Sequence, residues 1–94
     1  MFMSRSSPLR NASMRNDNKM KLGIFATNCS HGITATKVPE HWVNTWENNL
    51  EIAKLADLAG IECLIPVARW RGYGGETNFE YHTFETITWA TGLL

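Results

Sequence analysis

Two short apolar runs with one amphipathic segment between them set the frame for this chain. The first run is Lys21-Leu22-Gly23-Ile24-Phe25-Ala26 and the second is Cys63-Leu64-Ile65-Pro66-Val67. Both are bounded by polar residues and suit strands buried on both faces. Residues 46–59 repeat with a helical period: Ile52, Leu55, Ala56 and Ala59 share one face, and Glu47, Glu51, Lys54 and Asp57 lie opposite. Asn44 or Thr45 supplies an N-cap oxygen, and Gly60 takes the left-handed position after the last turn. A hairpin cannot span that distance. The spacing predicts a βαβ unit with parallel strands and a right-handed crossover. Pro66 cannot donate a ladder bond, so it should stand near the end of the second strand.

The second strand runs directly into Ala68-Arg69-Trp70-Arg71-Gly72-Tyr73-Gly74-Gly75. α/β proteins build ligand sites where a strand leaves the core and releases such residues at its C-terminal end. A second helix is predicted from near His82 or Thr83, with Phe84, Ile87, Ala90 and Leu94 along one side. Strand, helix, strand and helix alone leave sheet edges unpaired and a helix face uncovered. The sequence closes on Leu93-Leu94 without a cap or stop signal. The expectation is an α/β chain forming the opening piece of a larger fold. In a (β/α)8 barrel of about 250 residues it would be the first quarter.

With 94 residues, one small domain is the limit, and 44% apolar content is ordinary for a folded chain. Nine basic and nine acidic residues cancel, which argues against a nucleic-acid partner. No apolar run approaches the roughly 20 residues that cross a bilayer, so no membrane partner is expected. Cys29 and Cys63 match no metal spacing and fit a reduced, cytoplasmic setting. Residues 1–19 stand apart, with Arg5, Arg10, Arg15 and Lys19 among Ser and Asn and Asp17 the sole acid. Transit peptides share that composition, but Leu9, Ala12 and Met14 form no amphipathic stripe. The segment is read as a disordered basic extension, with the folded part over residues 20–94.

The residues able to carry chemistry gather after the two strands. The loop from Thr27 to about Asn44 is long for a strand-to-helix connection, and long loops are often functional. It holds Asn28, Cys29 and His31, which would lie at the site face. An arginine at position 69 or 71 can pair with an anion or polarised carbonyl in a forked geometry, and Trp70 can stack on a flat heterocycle. A surface ion pair and a packed core tryptophan explain the same residues equally well. Gly72-Tyr73-Gly74-Gly75 lacks the P-loop ending and the dinucleotide spacing, so a flexible turn is preferred to a phosphate nest. His31, His41, His82 and Cys29 show no local ligand spacing, and no metal site is predicted. His82, opening the second helix, is the best placed histidine for a bound ligand. Cys63, Trp42, Trp46, Trp89 and Phe84 are read as packing groups.

Residues 20–94 resemble the N-terminal quarter of the bacterial-luciferase-like flavin-dependent monooxygenases. The likeness is to the branch containing pyrimidine, dimethylsulfone and alkanesulfonate monooxygenases. It is carried by Met20-Lys21-Leu22-Gly23-Ile24-Phe25 and by Ala53-Lys54-Leu55-Ala56-Asp57-Leu58-Ala59-Gly60. It is carried above all by Arg69-Trp70-Arg71-Gly72-Tyr73-Gly74-Gly75-Glu76-Thr77-Asn78-Phe79, followed by His82, Phe84 and Glu85. The resemblance implies a TIM (β/α)8 barrel that uses reduced FMN, supplied by a separate flavin reductase, to insert one oxygen atom from O2 into a small organic substrate. It implies a homo-oligomer when full length. It places Ala68 and Arg69 against FMN, with Trp70, Arg71, His82, Asn28 and His31 on the substrate side. The loop after the first strand matches no single branch, which leaves the substrate open. The piece alone should be inactive. The alternative is a small non-enzymatic βαβ interaction module that docks through its exposed apolar helix face. A third reading, a phosphate-binding domain of another α/β enzyme, needs phosphate to dock at residues 72–75.

Overall fold

Gly23–Phe25 and Cys63–Ile65 form strands β1 and β2 in the computed structural model, which describes Arg15 and residues 17–94. Most of the expected basic extension lies outside those residues. The strands pair in parallel, Ile24 opposite Leu64, as the crossover length requires. Helix α1, Trp46–Ala59, makes that crossover, and α2, Thr86–Leu93, follows β2. Thr45 is the N-cap, its side-chain oxygen accepting the Asn48 N–H, and Gly60 closes α1 at φ 81°. Pro66 stands just past the last residue of β2.

The core is built from Ala53 and Ala56 of α1, Leu64 of β2 and Trp89 of α2, with Ile24, Trp46, Ile61 and Phe84 packed around them. The inward face of α1 is therefore Asn49, Ala53 and Ala56, and the expected stripe is corrected. Leu55 is half exposed and Ala59 is exposed. Small alanines allow close packing on the sheet, and Asn49 turns inward because partners for its amide wait there. Trp46 approaches α2 closely, so a Cβ at Gly92 would stand 2.7 Å from the indole. The strands were expected to be buried on both faces. Phe25 is 51% exposed and Ile65 48%, because among the described residues only two strands make the sheet and one face is covered.

Buried asparagines join these pieces. Asn28, fully buried just beyond β1, donates from Nδ2 to the carbonyls of Val67 and Phe84, each at 2.9 Å. Its Oδ1 accepts the Val67 N–H at 2.9 Å. Asn44 donates to the Asn28 carbonyl at 2.8 Å and accepts from Asn49 at 2.8 Å. Asn49 in turn accepts the Trp89 indole N–H at 2.8 Å. The relay ties the end of β1 to α1, the end of β2 and α2. Each member answers backbone or indole groups that would otherwise be buried without partners.

Helix α2 begins at Thr86 rather than near His82 or Thr83. The backbone of residues 82–84 is held instead by the loop after β1. Thr83 bridges Cys29 in antiparallel fashion, and the Phe84 N–H donates to the Asn28 carbonyl at 2.9 Å. Glu85 is left as the N-cap, accepting from the Ile87 and Thr88 N–H groups and from the Thr88 hydroxyl at 2.6 Å. The Thr88 hydroxyl above all, then the two backbone donors, lower its pKa to about 2. Trp89 is the buried residue of α2, whereas Ile87 and Leu94 of the expected apolar side are exposed.

Two outcomes follow from these contacts. Asn28→Asp places a carboxylate against two carbonyls that need donors and should destabilise the fold by about 3 kcal/mol or more, read from the urea midpoint. Glu85 has its folded pKa depressed, so its contribution is present above the ordinary 4.5 and is lost as pH falls toward about 2. The protection of the α2 amides, relative to their intrinsic exchange rates, should fall over that range, and Glu85→Ala should remove the pH dependence.

Candidate functional site at the strand tips

Both chain segments that leave the sheet do so at the same edge. The Ala26 N–H donates to the Ile65 carbonyl at 2.8 Å, and two residues further on Asn28 bonds both backbone groups of Val67. The loop after β1 and the loop after β2 therefore share one rim. The segment over residues 78–84 closes it, since the Ser30 carbonyl accepts from the Glu80 N–H and the His82 carbonyl from the Ser30 N–H, at 2.9 and 2.8 Å. Among the described residues four non-glycine positions carry positive φ, and all lie around this rim: Ala26 at 67°, His31 at 64°, Asn78 at 40° and Glu80 at 61°. Such conformations cost about 1–2 kcal/mol each and concentrate where a fold holds a functional shape.

Ala68 is exposed one residue beyond the Asn28 clamp, and Arg69 is half-buried beside it. The Arg69 guanidinium carbon stands over the Tyr73 ring, 3.6 Å from its centre, and Tyr73 stacks on Phe79 at 4.2 Å. Its Nε donates to the Arg71 carbonyl at 2.9 Å and pairs with the buried Glu80 carboxylate at 3.5 Å. Trp70 is 97% exposed and packs in no core. Arg71 is exposed at its side chain, while its carbonyl serves Arg69. Alternation does not continue past β2, because residues 70–78 form an irregular loop closed on itself.

That loop is a turn. Gly74 donates to Asn78 Oδ1 at 2.8 Å and its carbonyl accepts the Asn78 N–H at 3.1 Å. Gly72 is required by close approach: a Cβ there would stand 2.7 Å from the Tyr81 Cα. Lys37 and Glu76, both exposed, pair at 2.9 Å and link the turn to the loop after β1.

His82 is exposed at the rim and edge-on to Phe84 at 5.3 Å. Asn44 Nδ2 lies 3.1 Å from both its Nδ1 and its backbone carbonyl. Asn28 shares the rim, but its amide is fully engaged by the chain. His31 stacks on His41, centroids 3.9 Å apart and planes 3° from parallel. Its Nδ1 is buried without a hydrogen-bond partner among the described residues. Burial first, then the neighbouring His41, lower the His31 pKa below 6.5. Both cysteines are free, and burial of Cys29 chiefly raises its thiol pKa. Among the described residues no group of three or more His, Cys, Asp or Glu side chains could hold a metal ion, and no helix is long and apolar enough to cross a membrane.

Asn44 and Glu80 belong to this rim and are not among the residues the sequence marks for the site, whereas Ser30 lies within the loop after β1 expected there. The sequence offers Asn44 only as a possible cap. Glu80 sits in an aperiodic stretch with no local signal.

A parallel βαβα arrangement gathers polar groups at the C-terminal strand tips, as in α/β proteins, and the chain is similar over that region to curated proteins named pyrimidine monooxygenase. The chain is 30% identical over 74 residues to the pyrimidine monooxygenase RutA of Acinetobacter baylyi, covering 79% of this chain and 20% of that protein. It is 28% identical over 74 residues to the protein of the same name from Caulobacter segnis, covering 79% and 21%. With that of Shigella flexneri it shares 29% identity over 94 residues, covering 97% and 24%. The chain thus spans about a fifth to a quarter of the length of these curated relatives. No protein-family model matches the chain, and no solved structure matches it significantly.

The histidine stack sets a pH response. A folded pKa held below 6.5 means that the neutral His31 ring supports the loop above that value, and that this support is lost as pH falls through the folded pKa. Stability measured by urea unfolding should fall on acidification below 6.5. His31→Asn, which tolerates positive φ, should flatten the dependence.

Proposed function

We propose that residues 20–94 form the first β-α-β-α portion of an FMN-dependent monooxygenase of TIM-barrel fold. Its homology to pyrimidine monooxygenases supports the reading, and one observation carries it: the tips of both parallel strands present a shared rim with Arg69 at its edge. Arg69 fits a flavin. Its Nε is held by the chain, and its two Nη groups make no hydrogen bond among the described residues. Ala68 and Arg69 would lie against the isoalloxazine, where a cation favours the anionic reduced ring. The reduced flavin, supplied by a separate reductase, provides with O2 the oxygenating chemistry. Trp70, Arg71 and His82 would face the substrate, while Asn28 and His31 shape the loop behind them. His82 would offer a ring nitrogen for a hydrogen bond, and exposed Trp70 a flat surface for a heterocycle. The substrate class is a pyrimidine, sulfone or sulfonate. Cytoplasmic location and homo-oligomeric assembly of the complete protein accompany this reading.

A chimera tests it. Residues 20–94 are exchanged for the matching segment of the Acinetobacter baylyi pyrimidine monooxygenase. The product should bind FMN, followed by flavin fluorescence, and consume O2 with a pyrimidine when reduced FMN is supplied. Arg69→Ala should weaken FMN binding roughly tenfold, the scale of one lost charge-assisted contact. A folded chimera that ignores FMN overturns the flavin assignment. The 94-residue chain alone should not bind FMN. Tight one-to-one binding by it would overturn the view that the site needs further strands.

A further inference from the structure

We propose that Glu80 is the positioning residue for Arg69. It holds the guanidinium over Tyr73 so that the two Nη groups form a fixed, outward donor edge at the rim. What that edge meets rests on the flavin reading, but the positioning does not. Glu80 is 3% exposed, and its Oε1 is buried with no hydrogen-bond partner among the described residues. The cation beside it is Arg69, with Nε 3.5 Å from that oxygen. The separation marks an ion pair rather than a hydrogen bond, since the Nε–H is directed to the Arg71 carbonyl at 2.9 Å. A buried carboxylate without a countercharge is strongly disfavoured, so the pair constrains both partners.

Glu80 is itself fixed from three directions. Its N–H donates to the Ser30 carbonyl at 2.9 Å, and its carbonyl accepts from the Thr83 hydroxyl at 3.2 Å. Its backbone stands at φ 61°, a conformation that a non-glycine residue holds only where its surroundings impose it. The side chain is thereby directed under the rim rather than into solvent. Arg69 is then gripped on three sides: Glu80 beside Nε, the Arg71 carbonyl on the Nε–H, and the Tyr73 ring beneath the guanidinium carbon. An arginine without such a clamp loses its orientation among many rotamers, and a ligand must then supply the ordering.

The test reads Arg69 directly in the 94-residue chain. Its Nε–H signal, identified by its loss in Arg69→Lys, should be shifted upfield by the Tyr73 ring and should exchange slowly. In Glu80→Gln, which keeps the size and removes the charge, the signal should move to the position of a solvated arginine. It should also exchange roughly tenfold faster, while the amide signals of β1, β2 and α1 stay in place. Glu80→Asp, which keeps the charge, should restore part of the shift. An unchanged Arg69 signal in Glu80→Gln overturns the proposal. Should Glu80→Gln not fold, Glu80→Asp decides: a shift reduced part-way in the folded Asp variant, whose carboxylate is one methylene shorter, supports positioning, and an unaltered shift refutes it. Because no flavin is present, failure here leaves the chimera result standing, and failure of the chimera leaves this result standing.

Discussion

The fold depends on what one primary amide does at the end of β1. Asn28 reaches across to β2 and satisfies both backbone groups of Val67, at the point where Pro66 prevents the ladder from continuing. With its second amide proton it secures the carbonyl of Phe84, just before α2 begins. Two strands of three residues each are too short to hold register by themselves. The asparagine extends the pairing with side-chain bonds, and it does so at the end where the site is built. Asn44 and Asn49 continue the work into α1 and on to Trp89. The polar relay and the apolar cluster are thus two faces of one packing arrangement.

This arrangement explains why the rim is both strained and polar. The loop after β1 folds back on itself, with the Cys29 N–H bonded to the Ala26 carbonyl, and Ala26 and His31 adopt left-handed backbone. The return segment does the same at Asn78 and Glu80. Those conformations persist because the Ser30, His82 and Glu80 backbones hold one another. A rim so constrained keeps Arg69 and His82 in set places, which suits a site that must orient a planar ligand before any chemistry starts.

The alternation of short apolar runs with one helix-length segment was enough to read strand, helix, strand, helix and the parallel pairing. The caps at Thr45 and Gly60 were legible because capping is a local matter of backbone conformation and side-chain reach. The inward face of α1 was not, because Asn49 is polar by composition and becomes buried only through Trp89 and Asn44, distant in sequence. The start of α2 lies a few residues later than the pattern suggests for a like reason: Phe84 fits the helical spacing of Ile87 and Leu94, but the backbones of Thr83 and Phe84 are bonded to the loop after β1. Of the rim, Arg69, His82 and Asn28 stood out by residue type. Glu80 did not, since nothing local distinguishes a buried glutamate from a solvated one.

By itself the sequence determined the order of elements, the parallel strands and the appearance of cationic and aromatic residues beyond the second strand, because these follow from periodicity and connection length. Tertiary structure alone decided which polar side chains would be buried and what each residue of the loop would do. Asn28 became a clamp and Trp70 an exposed plate, and Arg69 became a cation gripped by Glu80. The physical reason is that a polar group's role depends on its partners, and those partners lie up to 56 residues away along the chain.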